Sequence, residues 1–90
     1  MPTCRVQIIN KLGLHARAAA KFVGVANRYN CQIQIGDNEE ALVDGKSIMQ
    51  VMMLAASKGS EVCICCEGDG ADQALEELQA LIGDYFGEGE

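Results

Sequence analysis

Residues 3 to 9 alternate, with Cys4, Val6 and Ile8 on one side and Thr3, Arg5, Gln7 and Ile9 on the other. A period of two marks a strand that buries one face, so this segment is predicted to be the first strand. After the loop Asn10-Lys11-Leu12-Gly13-Leu14 the period changes. Ala19, Phe22, Val23 and Ala26 recur at the spacing of an amphipathic helix. Its opposite side carries Arg17, Lys21, Gly24 and Arg28. At ~100° per residue these four lie within about 60° of one another, which gives a narrow basic ridge facing water.

Cys31, Ile33 and Ile35 alternate with Gln32 and Gln34 and end at the turn-forming Gly36-Asp37-Asn38, predicting a second strand. A short third strand, about residues 41 to 43, should pair with it. Ser47 then stands as an N-cap, because its hydroxyl can accept an orphan backbone N–H. Behind it Ile48, Val51, Met52 and Ala55 form the inward stripe of a short helix that Lys58-Gly59 should stop. Val62, Ile64 and Cys66 alternate with Glu61, Cys63, Cys65 and Glu67 as a fourth strand. Asp69-Gly70 opens a last helix with apolar positions Ala71, Ala74, Leu75, Leu78, Leu81, Ile82 and Tyr85. The order is βαββαβα. Alternating strands each wet one face, so the expected fold is α+β: a four-stranded antiparallel sheet covered on one side by three helices. Gly87-Glu88-Gly89-Glu90 reads as a frayed end.

Ninety residues suit one domain, 1–90, with a modest core. No apolar stretch reaches the ~18 to 20 residues of a membrane span, and Met1-Pro2-Thr3-Cys4-Arg5 begins no secretory signal. The reading is a soluble, cytoplasmic protein with no membrane contact. Five cysteines, an odd number, are expected to be free thiols there. Alternation points Cys4, Cys31 and Cys66 inward and leaves only Cys63 and Cys65 on the exposed face, short of the four ligands of a zinc site. No metal is expected, and the sequence assigns Cys63 and Cys65 no role.

Net charge is −6, which argues against a nucleic-acid surface. The charge is uneven. Residues 10 to 28 hold Lys11, Arg17, Lys21 and Arg28 with no acid, whereas residues 61 to 90 hold nine acids and no base. The acidic end reads as a solvated tail. The basic segment contains the only histidine, His15, at or just before the start of the first helix. Unpaired N–H groups and the dipole make that position an anion site. The same positive end favours a neutral, nucleophilic imidazole. Arg17 adds a charged fork suited to phosphate oxygens. On these grounds alone His15 is either a helix-start cap or the nucleophile of a phosphoryl-transfer site.

The run Asn10 to Ala20, NKLGLHARAAA, resembles the active-site motif of the HPr family, the histidine phosphocarriers of the bacterial phosphotransferase system. Asp44 to Gly59, DGKSIMQVMMLAASKG, resembles its second signature, a regulatory serine and its helix. The likeness spans essentially the whole chain and implies an open-faced βαββαβα sandwich. It also implies that His15 accepts phosphate on Nδ1 as a pros-phosphohistidine, that Arg17 partners the phosphoryl group, and that the Ala16 and Arg17 amides cradle it. The implied donor is enzyme I, charged from phosphoenolpyruvate, and the implied acceptor is a histidine of an enzyme IIA. The carrier would be a monomer, would need no cofactor, and would not be an independent catalyst.

One departure bears on the branch. Sugar-branch members usually read HARPA, where this chain has Ala18. HARAA resembles the nitrogen-related branch, and that is the favoured reading, with sugar transport the alternative. A third reading is a regulatory binding module governed by phosphorylation of Ser47, with a serine kinase and phosphatase as further partners; the competing role for Ser47 is the cap alone. The resemblance also implies docking through Ala20, Lys21, Ile48, Met49 and Met52. Helical spacing instead sends Ile48 inward, so the two arguments disagree about that side chain. For Met53, core packing is the expectation.

Overall fold

The computed structural model describes residues 2–89. Strands β1 (Thr3–Gln7), β2 (Gln32–Gly36), β3 (Leu42–Asp44) and β4 (Glu61–Glu67) alternate with helices α1 (Ala16–Ala26), α2 (Ile48–Met53) and α3 (Ala71–Gly83) in the expected βαββαβα order. A single 3-10 turn, Tyr85–Gly87, follows. The sheet is antiparallel throughout, with order β1-β4-β2-β3. α3 packs over β1 and β4, α2 over β3, and α1 touches both other helices.

The periods read from the sequence account for the core. Ile8, just past β1, and Ile33, Ile35, Val62 and Ile64 from the sheet meet Phe22, Ala26, Val51, Leu78 and Ile82 from the helices, and all are buried. A Phe or Ile removed from water in this way contributes roughly 1.5–3 kcal/mol. The basic ridge and the acidic end face each other across α1 and α3. Arg28 Nη1 donates to Glu77 Oε2 at 2.7 Å and the Tyr29 hydroxyl donates to Glu77 Oε1. The acidic end is therefore not simply a solvated tail.

Five expectations are corrected. α2 ends at Met53 with Leu54 as its C-cap, before Lys58-Gly59, and of its expected stripe only Val51 is buried. Ile48, Met52 and Ala55 are exposed; Ala55 takes a left-handed φ of 52°, which breaks the helical period and turns Ala56 into the core instead. Met53, expected in the core, is 76% exposed because so short a helix offers only one line of contact to the sheet edge.

Tyr85 does not extend the stripe of α3. The helix stops at Gly83, Tyr85 stays partly exposed, and Phe86 fills the core in its place. Cys63 and Cys65 do lie on the helix-free face, but they are buried. β4 is a central strand, and cross-strand neighbours Arg5 and Gln34 flank these small thiols. The Cys63 and Cys65 sulfurs are 3.9 Å apart, and Thr3 Oγ1 donates to Cys65 Sγ at 3.5 Å. Burial and the Cys65 contact push the Cys63 thiol up to about 11, and burial pushes Cys66 up to about 12. The fifth correction is the chain end. Glu88 is held against Asn10 and His15 instead of fraying, while Glu90, also read as frayed, lies outside the described residues.

Candidate phosphoryl site

His15 is the N-cap residue of α1, extended at φ −73° and ψ 177°, and its carbonyl accepts the first helical hydrogen bond from Ala19 N at 2.9 Å. Ala16 and Arg17 follow as the first two helical residues, so their N–H groups have no carbonyl one turn back within the helix. These amides and the helix dipole together favour an anion at this end of α1.

The loop before the histidine is held by two devices. Gly13 adopts φ +68°, a conformation open to glycine, and a Cβ there would stand 2.4 Å from the Ala56 carbonyl oxygen. Asn10 is fully buried, and its Nδ2 donates to the Gly13 carbonyl at 2.8 Å. Leu14, also buried, seats the end of the loop in the core.

The ring is met from a distant part of the chain. His15 Nε2 lies 2.7 Å from Glu88 Oε2, while Glu88 Oε1 accepts from Asn10 Nδ2 at 3.0 Å. Three consecutive left-handed residues, Tyr85, Phe86 and Gly87, turn the chain back to this point. Such a run is strained outside glycine. It persists because Phe86 is fully buried and Lys21 Nζ donates to the Phe86 carbonyl at 2.6 Å. Burial opposes the charge on Glu88, yet hydrogen bonds from Asn10 and His15, together with the nearby Lys21 ammonium, outweigh it. They hold the carboxyl below its ordinary range.

Arg17 is exposed and lines a concavity of about 280 Å³ with Lys11, Leu12 and Glu88. Of the remaining sequence-derived residues, Ala20 is exposed beside this end of α1, and Lys21 is half-buried. Ser47 caps α2, its Oγ accepting from Gln50 N at 3.3 Å. Ile48, Met49, Met52 and Met53 line one exposed apolar surface. Ile48 is therefore exposed, contrary to the inward position given by helical spacing. Among the described residues no group of three or more His, Cys, Asp or Glu side chains is placed to hold a metal, and no helix is long and apolar enough to cross a membrane.

Asn10, Phe86 and Glu88 were not singled out by the sequence. Asn10 carries no local sign of its double donation, and Glu88 looks like any acid in an acidic end. The one available signal was the aromatic pair Tyr85-Phe86 just ahead of it, an apolar anchor that could return the chain to the core.

A histidine at a helix start on an open-faced sandwich, with Arg17 in the first turn of that helix, is the arrangement of a small phosphoryl-carrier protein. A family model described as "PTS HPr component phosphorylation site" matches residues 2–84. The chain belongs to the HPr family of phosphocarriers of the phosphotransferase system. It is 61% identical over 90 residues to the phosphocarrier protein HPr of Pseudomonas aeruginosa, covering 100% of each chain. It is 49% identical over 87 residues to that of Neisseria meningitidis serogroup A, covering 94% of each. Among solved structures, HPr-C-His from Thermoanaerobacter tengcongensis superposes with a TM-score of 0.91 at 41% identity, over 98% of each chain. Membership of this family implies partners within the phosphotransferase system.

Proposed function

We propose that this single domain accepts a phosphoryl group on His15 Nδ1 from phosphorylated enzyme I and passes it to a histidine of an enzyme IIA. The observation that carries the reading is the position of His15 as N-cap of α1, with Arg17 two residues further on, exposed in the first turn of the same helix. In the transfer the Nδ1 lone pair forms a P–N bond in line as the donor's P–N bond breaks, and the donor imidazole keeps the electron pair. The Ala16 and Arg17 amides and the Arg17 guanidinium stabilise the equatorial oxygens of the loose transition state. No metal or cofactor is required for that step.

Ala20, Lys21, Ile48, Met49 and Met52 form the docking face, joined by Met53. Met49 is 72% exposed, and unbranched thioether side chains adapt to more than one partner. Both partners use this one face and so meet the carrier in turn; the reading takes it to act as a monomer in the cytoplasm, as expected from the sequence. Ser47 borders this face, so a phosphate there would add charge to the docking surface while sitting favourably at its own helix start. The branch is the nitrogen-related one, supported by Ala18 in the HARAA run.

The test is incubation with labelled phosphoenolpyruvate and the cognate enzyme I. Acid-labile, alkali-stable label is expected on the wild type and absent from His15→Ala; label that persists in that variant overturns the acceptor. Onward transfer to a nitrogen-related enzyme IIA in preference to a sugar enzyme IIA is the result expected for the branch.

A further inference from the structure

We propose that Glu88 is a positioning residue for phosphoryl transfer, holding the proton on His15 Nε2 so that Nδ1 carries the attacking lone pair. This rests on the reading of His15 as the phospho-acceptor. It extends that reading to a residue beyond the stretch 2–84 that the family model matches.

The proton assignment follows from the hydrogen-bonding partners. An ionised carboxylate can only accept, and an amide NH2 can only donate. Glu88 Oε1 takes its hydrogen bond from Asn10 Nδ2 at 3.0 Å, so Oε2, 2.7 Å from His15 Nε2, requires a donor on the ring. Nε2 is therefore the N–H, and in the neutral ring Nδ1 is left with the lone pair. The carboxylate is itself fixed. Asn10 is fully buried and tied to the Gly13 carbonyl, and the backbone of Glu88 closes a turn by donating to the Tyr85 carbonyl at 2.9 Å. That turn is anchored by buried Phe86 and by Lys21 on its carbonyl. Glu88 is thus presented to the ring by a clamped turn, not by a loose chain end.

The chemical consequence acts in both directions of transfer. A free neutral imidazole exchanges its proton between two nitrogens, so only part of the population has Nδ1 ready to attack. Fixing the proton on Nε2 places all of it in the reactive tautomer, the service that a buried carboxylate gives a histidine in a hydrolase triad. As the P–Nδ1 bond forms and the donor's P–N bond breaks, positive charge grows on the ring, and Glu88 faces the N–H where it is shared. When the phosphoryl group leaves, the electron pair of the P–Nδ1 bond returns to Nδ1. The proton stays on Nε2, and the starting tautomer is restored. Arg17 and Lys11, which line the opening with Glu88, remain free to meet the phosphoryl oxygens.

The experiment is a long-range ¹H–¹⁵N correlation of the His15 ring in the uniformly labelled full chain, at a pH where the ring is neutral. The wild type is expected to show the Nε2–H tautomer and Glu88→Ala an average of the two forms, with Glu88→Gln, whose single amide oxygen cannot serve both Asn10 and the ring, short of the wild-type pattern. The companion measurement is the rate of phosphate arrival from enzyme I. Exchanging a charge-assisted hydrogen bond for none should slow it about five- to tenfold in Glu88→Ala, with Glu88→Gln, which keeps shape but loses charge, in between. Should the alanine variant fail to fold, the isosteric glutamine variant reads the rate by itself. A wild-type ring in the Nδ1–H form, or rates unchanged in both variants, overturns the role of Glu88 alone. Failure of the wild type to take label on His15 overturns the acceptor role, and the positioning role falls with it.

Discussion

Leu14 donates its backbone N–H to the Ala56 carbonyl at 2.9 Å. This bond ties the loop that carries His15 to Ala56, just past α2, so the apolar surface of α2 and the imidazole share one frame. Under the proposed function, a partner seated on the Met49 side would be held at a fixed height relative to the histidine.

The closeness of that junction makes Gly13 sensitive. In Gly13→Ala the new methyl would meet the Ala56 oxygen at 2.4 Å and the Ser57 Cα at 2.9 Å, at a φ of +68° that alanine resists. A loss of about 2–4 kcal/mol is expected from backbone strain and overpacking together. Urea unfolding measures it, and a loss below about 0.5 kcal/mol would show that the loop yields freely.

Ser47 separates capping from docking. Ser47→Ala removes the acceptor for Gln50 N and should lower stability by about 1 kcal/mol, while Ser47→Asp keeps a capping oxygen and should stay within about 0.5 kcal/mol of wild type. The aspartate is nonetheless expected to slow phosphate arrival at His15, because it adds charge beside the docking face. Thermal unfolding and the enzyme I assay read the two effects independently; an unaltered transfer rate in Ser47→Asp would remove the docking argument.

The Glu88 clamp should open in acid. Its folded-state pKa lies below the ordinary carboxylate value, so its contribution is complete above that value, near pH 4.3, and is lost as pH falls through the lower folded-state pKa. Amide exchange at Gly87, whose N–H donates to the Asp84 carbonyl, follows the opening. Protection should fall on the acid side of pH 4.3, and Glu88→Gln should lack that step.

The thiols of β4 should be inert in the native state. With Cys63 pushed up to about 11 by burial and Cys66 up to about 12, the thiolate fraction near neutrality is minute. Reaction of these two with an aromatic disulfide reagent should run about a hundredfold slower than in the unfolded chain. Mass mapping of the modified sites checks it, and rapid native labelling of Cys63 would contradict its burial.

Much of this protein is local in origin. The period-two runs at residues 3–9, 31–35 and 61–67 and the helical stripe of Ala19, Phe22, Val23 and Ala26 each decide a backbone conformation from neighbours a few residues away. The element order and the placement of His15 at a helix start were legible for that reason. What a period cannot report is how far other elements cover a face. Cys63 and Cys65 point away from the helices, as alternation requires, yet they are buried, because coverage depends on the side chains of strands β1 and β2. α2 fails in the opposite way, since a six-residue helix lying against the sheet edge leaves most of its apolar side chains open.

The contact between His15 and Glu88 spans 73 positions, and nothing near either residue encodes it. It exists because Phe86, not Tyr85, finds the core and Lys21 secures the turn that follows, and both depend on the packed arrangement of α1 and α3. The amino-acid order by itself set which segments become strands and helices and where the imidazole enters α1. Only the folded chain brought a carboxylate to the far side of that ring, because a hydrogen bond needs donor and acceptor within about 3.5 Å and sequence neighbours alone did not supply the second.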